Sequence, residues 1–367
     1  MIKFYIENKL FEKEISFSDI NTIQSYNKKY NIKYINKELE EILLNIYNKN
    51  DFIIIDMTIY NYNKYYIDTC FDFNNIFLFD ANEQNKNMDS VLILIDRLND
   101  LKFTKQNKLI VIGGGITQDM SGFSAAIYKR GINWTLIPTT LLCMTDSAIG
   151  GKVCLNRKNK NILSLFNSPN EIYISDIFIK TLKEDDIISG IGEALKLSLI
   201  GGNDTYNMFL EKYENQKYLE IIKLSSNIKQ CIIEYDELEK YERKILNYGH
   251  TFGHALESVT SYFIPHGIAV LYGICIINFL FYENKYEKIN DYILNIIPNK
   301  FKNLEISYER LIENILNDKK NDGNKVCFIL MEEIGKMKIV YYNLIENNLE
   351  KKIKKTLKYY NFKLIND

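Results

Sequence analysis

Short apolar runs that alternate with helical patterns constrain the fold of the first half of this chain. These runs have the length of buried strands and are Phe52–Ile55, Ile76–Phe79, Leu109–Ile112 and Trp134–Pro138. Apolar residues recur at helical spacing from Met88 to Leu101, and a helix of small residues is predicted from Gln118 to Lys129. Strand, helix and strand in this order predict a parallel sheet with helical crossovers. We therefore expect an α/β domain over residues 1–180.

Long helical patterns replace this alternation in the second half. They follow the segment Ser175–Asp185 and cover Ile187–Ile200, Tyr218–Tyr235, Phe252–Tyr262 and Gly267–Tyr282. Strand signals return only at Val326–Leu330 and Lys338–Val340, which could pair as a hairpin. We expect a second, mainly helical domain over residues 181–367.

The composition excludes several classes of protein. Lys and Arg number 46 and Asp and Glu 47, so the net charge is −1 and no basic footprint for nucleic acid is evident. The first residues contain no apolar segment typical of a signal peptide. The apolar run Ile268–Tyr282 is shorter than the about 20 residues that a membrane span needs, which favours a buried helix. We expect a cytoplasmic protein without nucleic-acid or membrane partners, which must hold any anionic ligand in a local pocket.

The histidines form the strongest chemical signal. The chain has three, His250, His254 and His266, and all lie between residues 250 and 266. Imidazole is the commonest metal-ligand side chain, and a catalytic zinc site takes three protein ligands and keeps one position open. Structural core histidines are the alternative. The spacing does not match H-E-x-x-H, which argues against a zinc protease.

A charged pair interrupts an apolar helical pattern. Glu193 and Lys196 lie among Ala194, Leu195 and Leu197. A solvated helix face would explain them, but a buried glutamate usually needs a metal or another cation.

Two glycine-containing segments indicate anion binding. Gly113–Gly115 follows a buried strand and precedes a helix, so backbone N–H groups could approach a phosphate. The residues do not fit G-x-G-x-x-G, and a plain tight turn is the alternative. Asp146–Lys152, followed by Lys160 and Asn161, could close on an anion but lacks the P-loop pattern.

Taken in order, these segments resemble the 3-dehydroquinate synthase family of the sugar-phosphate cyclases. The matching stretches run from residue 113 to residue 323 and read GGGITQDMSGF, YKRG, IPTTLL, DSAIGGK, GIGEALKLSLI, LNYGHTFGHALE, PHG and DKKNDG. The resemblance implies an N-terminal Rossmann-like domain that binds NAD+ and a mainly α-helical C-terminal domain that binds metal and substrate. It also implies a homodimer.

The resemblance further implies roles for individual residues. The ligands of Zn2+ or Co2+ would be Glu193, His250 and His266. The residues that contact substrate would be Asp146, Lys152, Asn161, Lys196, Lys229, Arg243, Asn247 and His254, with Lys319 or Lys320 closing over it and Arg130 reaching the partner subunit's site. The NAD+ contacts would be Asp56, Glu83, Lys86, Gly114, Gly115, Asp119, Thr139, Thr140, Lys152 and Lys160.

The implied reaction is that of the shikimate pathway of aromatic amino acid biosynthesis. It converts 3-deoxy-D-arabino-heptulosonate 7-phosphate to 3-dehydroquinate and phosphate by transient oxidation, β-elimination, reduction and aldol closure. The chain departs from the family at Gln118 and Asn82, where glycine is usual, and at Ile268, where Glu is common. A cyclase for another ketose phosphate, a metal-dependent polyol dehydrogenase and a non-catalytic metal-binding protein stay open as alternatives.

Overall fold

The computed structural model describes residues 1–26, 28–158, 160–318, 321, 323, 325–344 and 349–365. The strands are β1 (Ile2–Ile6), β2 (Lys9–Lys13), β3 (Ile20–Gln24), β4 (Lys29–Ile35), β5 (Phe52–Asp56), β6 (Ile76–Phe79), β7 (Leu109–Gly113), β8 (Trp134–Pro138), β9 (Lys152–Leu155), β10 (Leu163–Phe166), β11 (Glu171–Ser175), β12 (Glu305–Ser307), β13 (Val326–Glu333), β14 (Lys336–Tyr342) and β15 (Lys363–Ile365). The α-helices are α1 (Leu39–Ile46), α2 (Met57–Cys70), α3 (Met88–Asp100), α4 (Gly115–Ile127), α5 (Glu184–Gly201), α6 (Asn203–Glu214), α7 (Tyr218–Ile233), α8 (His250–Val259), α9 (His266–Tyr282), α10 (Glu287–Ile296), α11 (Tyr308–Leu316) and α12 (Leu349–Tyr359).

The chain divides into two compact units. The sheet unit contains residues 16–182 and 217–238, and the helical unit contains residues 1–15, 183–216 and 239–367. Two segments therefore do not follow the expected division into domains at residue 180. Residues 1–15 belong to the helical unit because β1 pairs with β14. Residues 217–238 belong to the sheet unit because α7 packs on the turn at Cys143–Ser147.

A mostly parallel sheet organises the sheet unit, as the alternating pattern predicts. Within the described residues its order is β3-β4-β11-β8-β7-β5-β6, and only the edge pair of β3 and β4 is antiparallel. The residues of β5 and β7 from Ile53 to Ile55 and from Leu109 to Ile112 are 0% exposed. Strands buried on both faces read as continuous apolar runs, which is why the sequence reveals them. The carboxyl ends of β5, β7 and β8 lie at one edge of this sheet.

Helices packed against a small mixed sheet form the helical unit. The predicted hairpin is present as β13 and β14, and the sheet order is β13-β14-β1-β2. The helix expected at Ile268–Tyr282 is α9, whose residues from Ile268 to Leu271 are 0% exposed. The helical stretch His266–Ile296 is long and apolar enough to cross a membrane by those criteria alone, but 72% of its most apolar window is buried. It is packed as the core helix of this unit.

Candidate active site

A glycine turn joins β7 to α4 at the carboxyl edge of the parallel sheet. A Cβ added to Gly114 would lie 2.9 Å from Thr140 Cγ2, so the close approach of this turn requires glycine. The N–H of Thr139 donates to the carbonyl oxygen of Gly113 over 3.1 Å, which joins the end of β8 to the same turn. Gly115 is the first residue of α4, so the unpaired N–H groups of the first helical turn face this edge. The geometry suits a phosphate of a dinucleotide.

Lys86 lies at the centre of a charged cluster in the same unit. Its Nζ lies 2.5 Å from Asp119 Oδ2 and donates to Asn161 Oδ1 over 2.7 Å. Lys86 is only 5% exposed. Burial raises the pKa of the Asp119 carboxyl, although the Lys86 ammonium opposes that shift. The structure therefore brings together three of the expected site residues.

Glu83 extends this cluster. Its Oε1 lies 3.3 Å from Lys160 Nζ, and its Oε2 accepts a hydrogen bond of 2.8 Å from Asn156 Nδ2. Burial by itself would raise the pKa of Glu83, but the ammonium groups of Lys160 and Lys86 bring it below its ordinary value. Asp56, at the end of β5, accepts from the N–H of Thr58 over 2.7 Å and caps α2.

The turn that carries Asp146 is held from two sides. Lys229 Nζ, from α7, donates to the Asp146 carbonyl oxygen over 2.5 Å and to Asp146 Oδ1 over 2.9 Å. Gln118, from the first turns of α4, donates to the Ser147 carbonyl oxygen over 2.9 Å and accepts from Ser147 Oγ over 3.0 Å. Lys152 is the first residue of β9, which follows this turn. The glutamine that departs from the family pattern therefore ties the glycine turn to the turn of Asp146.

Arg130 lies outside these clusters. It ends the short 3-10 segment Tyr128–Arg130, is exposed, and has a φ of 66°. Gly131 follows with a φ of 102°. Arg130 is thus presented at the surface of the sheet unit.

The candidate metal site is formed by Glu193, His250 and His266 in the helical unit. Glu193 lies in the middle of α5, and the two histidines are the first residues of α8 and α9. Glu193 Oε1 lies 3.5 Å from His250 Nε2 and 3.4 Å from His266 Nε2. Glu193 is 0% exposed. Three potential ligand atoms therefore converge, and a carboxylate with two imidazoles suits zinc or cobalt.

Hydrogen bonds to the other ring nitrogens orient both imidazoles. His266 Nδ1 lies 2.9 Å from Glu257 Oε2, and His250 Nδ1 lies 3.2 Å from the carbonyl oxygen of Tyr248. A proton on each Nδ1 leaves each Nε2 with the lone pair that a metal needs, and such outer partners are typical of metal-bound histidine. Burial lowers the pKa of His266, but Glu257 and Glu193 outweigh it and raise that pKa to about 10. The site attracts a positive charge, as a metal site should.

His254 lies on the more open side of the cluster. Its ring centroid is 5.1 Å from that of His250 and 5.7 Å from that of His266, and its side chain is 45% exposed. Its Nδ1 lies 3.9 Å from Asp318 Oδ2. Ligand atoms of the three histidines lie within 4.8 Å of one another, so a site of three histidines is a second possible arrangement.

Cationic and amide side chains complete the helical unit's part of the site. Lys196 Nζ donates to Glu193 Oε2, and both residues are almost fully buried at 1% and 0% exposure. Arg243 is 1% exposed in the 3-10 segment Glu242–Asn247. Asn247 Nδ2 donates to Glu239 Oε1 over 2.7 Å. Lys319 and Lys320 lie outside the described residues.

Sequence reasoning did not identify Glu257. It lies on α8, three residues after His254, and is only 4% exposed. The argument that singled out Glu193, an acidic residue within an apolar helical stretch, applies equally to Glu257. Tyr248 was also missed, since it acts through its backbone carbonyl, which no side-chain pattern reveals.

Comparison with known proteins identifies the family. The family profile described as 3-dehydroquinate synthase N-terminal matches residues 76–189, and the one described as 3-dehydroquinate synthase C-terminal matches residues 190–321. The 3-dehydroquinate synthase of Campylobacter concisus (strain 13826) is 35% identical over 264 residues, which cover 69% of this chain and 76% of that protein.

Two solved structures share the fold. One is 2-deoxy-scyllo-inosose synthase complexed with carbaglucose-6-phosphate, NAD+ and Co2+, with a TM-score of 0.77 and 21% identity over 92% of this chain and 99% of that one. The other is ValA, a 2-epi-5-epi-valiolone synthase from Streptomyces hygroscopicus subsp. jinggangensis 5008 with NAD+ and Zn2+ bound, with a TM-score of 0.74 and 19% identity over 90% and 96%. The two family profiles and the 35% identity to the curated relative show that the chain belongs to the 3-dehydroquinate synthase family.

Proposed function

We propose that this chain is a 3-dehydroquinate synthase. It would convert 3-deoxy-D-arabino-heptulosonate 7-phosphate to 3-dehydroquinate and phosphate. The observation that carries the proposal is the convergence of Glu193 Oε1 with His250 Nε2 and His266 Nε2, within 3.5 Å, in a chain of this family. When bound, a divalent ion at these residues would supply Lewis-acid polarisation of a substrate oxygen, and NAD+ would supply transient hydride acceptance.

The chain's own residues prepare the candidate metal site. Lys196 binds Oε2 of Glu193, which leaves Oε1 directed at the two imidazoles. Glu257 holds a proton on His266 Nδ1, so that a bound ion would replace only the proton on Nε2. The carboxylates of Glu193 and Glu257 and the buried ammonium of Lys196 would provide fixed charges beside a bound ion. Such preorganised charges are a major source of rate enhancement.

The sheet unit would bind the dinucleotide. The glycine turn before α4 and the start of that helix would hold phosphate, as a cradle that a Cβ on Gly114 would fill. Asp56, at the end of β5, and the cluster of Glu83, Lys86, Asp119 and Lys160 would then be the remaining NAD+ contacts in this unit.

We assign substrate contacts to Lys152, Asn161, Lys229 and Asp146 among the residues of the sheet unit, and to Arg243, Asn247 and His254 among those of the helical unit. The cationic side chains in this set would bind the anionic groups of the substrate, whereas the Asp146 carboxylate can only accept hydrogen bonds. A phosphate and a carboxylate on one substrate explain the number of cations, since a neutral polyol needs none of them. We also propose that either Lys319 or Lys320 closes over the substrate.

We further propose that the protein is a cytoplasmic homodimer in which Arg130 contributes to the partner subunit's site. The exposed position of Arg130, between Lys129 and Gly131 in a segment where all three residues have positive φ, supports a role at a contact with a second copy. Light scattering at micromolar concentration tests the state of association. A fully active monomer would exclude it.

The decisive experiment measures phosphate release. The full chain, with NAD+ and Zn2+ or Co2+, is incubated with 3-deoxy-D-arabino-heptulosonate 7-phosphate and with a panel of other ketose phosphates. We expect phosphate and 3-dehydroquinate in equal amounts without accumulation of NADH. Release from another ketose phosphate alone would identify a related cyclase, and NADH formation from polyols without phosphate release would identify a dehydrogenase.

A pair of matched variants controls the experiment. Lys196 and Lys223 are both buried lysines bound to an acidic residue, but Lys223 pairs with Asp19 in the sheet unit. Lys196→Met should abolish turnover, while Lys223→Met should lower stability and leave turnover of the folded protein unchanged. Equal loss of activity in both variants would remove Lys196 from the mechanism.

A further inference from the structure

Tyr248 makes hydrogen bonds from both its main chain and its side chain. Its carbonyl oxygen lies 3.2 Å from His250 Nδ1, and its hydroxyl donates to Asn278 Oδ1 over 2.5 Å. Tyr248 is 0% exposed. Through these two hydrogen bonds the residue links His250 to α9.

The helix at the far end of this link carries the second histidine of the candidate metal site. His266 is the first residue of α9, and Asn278 lies further along the same helix at 0% exposure. The bond between Tyr248 and Asn278 thus joins the segment that orients His250 to the helix that begins with His266. Any rotation or slide of α9 against this segment would stretch a buried hydrogen bond.

The link continues through two further buried residues to the C-terminal helix. Asn278 Nδ2 donates to Asn290 Oδ1 over 3.0 Å, and Asn290 Nδ2 donates to Tyr360 Oη over 3.0 Å. Tyr360, directly after α12, in turn donates to the carbonyl oxygen of Cys275 over 3.0 Å. The oxygen and the nitrogen of both amide side chains are hydrogen-bonded, so the donor and the acceptor of every hydrogen bond in the series are fixed. Fully satisfied networks of this kind rigidify a core.

We infer that Tyr248, Asn278, Asn290 and Tyr360 form a positioning network that sets the spacing of His250 and His266 and so the affinity for a divalent ion. None of the four is a ligand, and each acts through the helices it joins. The inference rests on the proposed function, because that function requires the ion. It also makes the C-terminal helix, which lies far from the histidines in sequence, a determinant of metal binding.

A matched pair of tyrosine variants tests this. Tyr248→Phe keeps the ring and removes the hydroxyl from the network. Tyr272→Phe is the control, because Tyr272 lies on α9, the helix of His266 and Asn278, at 2% exposure, and its hydroxyl donates over 2.9 Å to the carbonyl oxygen of Phe301, outside the network. Tyr360→Phe removes the far end of the network and leaves the bond of Tyr248 in place. The Zn2+ dissociation constant of each metal-free full chain is measured by competition with a chromophoric chelator, together with the Co2+ absorption spectrum and metal-free Tm.

We expect Tyr248→Phe, which keeps the backbone carbonyl at His250, to raise the Zn2+ dissociation constant about tenfold, as a position coupled to a ligand through other residues can, and to alter the Co2+ bands. Tyr360→Phe should raise the constant by about threefold, as remote positions in a coupled network do. Tyr272→Phe should lose a similar amount of metal-free Tm but keep the wild-type Zn2+ constant. Equal constants for Tyr248→Phe and Tyr272→Phe would overturn the inference.

Two further outcomes separate this inference from the proposed function. If the wild-type chain binds no Zn2+, both fall. If it binds Zn2+ and Tyr248→Phe weakens that binding, but no substrate is turned over, the positioning network stands and the proposed reaction fails. Should Tyr248→Phe not fold, Tyr360→Phe decides by itself, and an unchanged Zn2+ constant in that variant overturns the inference.

Discussion

Replacement of Glu193 by glutamine distinguishes two possible ligand sets in the histidine cluster. In the candidate metal site the ion would bind Glu193, His250 and His266. In the alternative it would bind the three histidines, whose ligand atoms lie within 4.8 Å of one another. Glutamine keeps the size of the side chain and removes its charge. It therefore removes a ligand from the first set and none from the second.

The expected magnitudes follow from burial. Loss of an outer-shell partner costs 10–100-fold in metal affinity, so loss of a direct ligand should cost at least about 100-fold. Glu193 and Lys196 are 0% and 1% exposed, and breaking a buried ion pair costs about 3–5 kcal/mol of folding stability. Glutamine can still accept a hydrogen bond from Lys196, which places the expected loss near the lower figure. His254 is 45% exposed, so His254→Ala should change stability by at most about 0.5 kcal/mol.

Metal analysis of the purified variants provides the assay. Zn2+ content is measured after gel filtration, and the dissociation constant by chelator competition, for Glu193→Gln, His266→Ala and His254→Ala. The first two should lose the ion, and the third should retain it while turning over substrate more slowly. Retention in Glu193→Gln together with loss in His254→Ala would show that the three histidines are the ligands and refute our assignment.

Three other substitutions probe the sheet unit. Lys86→Met should weaken NAD+ binding about tenfold in a fluorescence titration, because Asp119 loses a charged partner at 2.5 Å, and an unchanged affinity would exclude Lys86 from the dinucleotide site. Gln118→Leu removes two hydrogen bonds to Ser147. It should lower the free energy of unfolding in urea by about 1–3 kcal/mol and raise the substrate KM. An unaltered KM would contradict a role of Gln118 in holding the turn that carries Asp146. Arg130→Ala should be inactive alone. If the arginine acts across a symmetric dimer, an equal mixture of this variant with an inactive metal-site variant should recover about a quarter of wild-type activity. No recovery would place Arg130 in its own subunit's site.

The central strands could be predicted from sequence, but the first strands could not. Phe52–Asp56 and Leu109–Gly113 are buried on both faces and carry continuous apolar side chains. By contrast, β1 alternates buried with more exposed positions over only five residues, and β2, of equal length, buries only Phe11. β1 also pairs with β14, more than 300 residues away, and no local pattern reports such a partner. Residues 1–15 are consequently in the helical unit, contrary to what a simple boundary would suggest.

Part of the candidate metal site could be predicted from the sequence because histidine is rare in it. Histidine is rare in this chain, with three residues, so their proximity in sequence carries information. Tyrosine is common, with 27 residues, so Tyr248 could not be distinguished from the others by sequence alone. Glu257 is one of many acidic residues, and only the 2.9 Å distance to His266 Nδ1 reveals what it does. Side chains that act as partners of ligands therefore need the structure.

The glycines beside the ligands explain how three helices can bring His250 Nε2 and His266 Nε2 within 3.5 Å of Glu193 Oε1. Glu193, His250 and His266 each have a glycine next to them in sequence, at Gly192, Gly249 and Gly267.

At all of these positions the backbones touch. A Cβ on Gly192 would lie 2.4 Å from the carbonyl oxygen of Gly267, and a Cβ on Gly267 would lie 1.8 Å from that of Ser189, so α5 and α9 are in direct backbone contact. A Cβ on Gly273 would lie 1.8 Å from the carbonyl oxygen of Gly249, which brings α9 equally close to the start of α8. Helices separated by ordinary side chains lie 8–10 Å apart, whereas these glycines let the backbones come into direct contact. The glycines thus determine the geometry of the site as directly as the ligands do, because they set how near the helices can come.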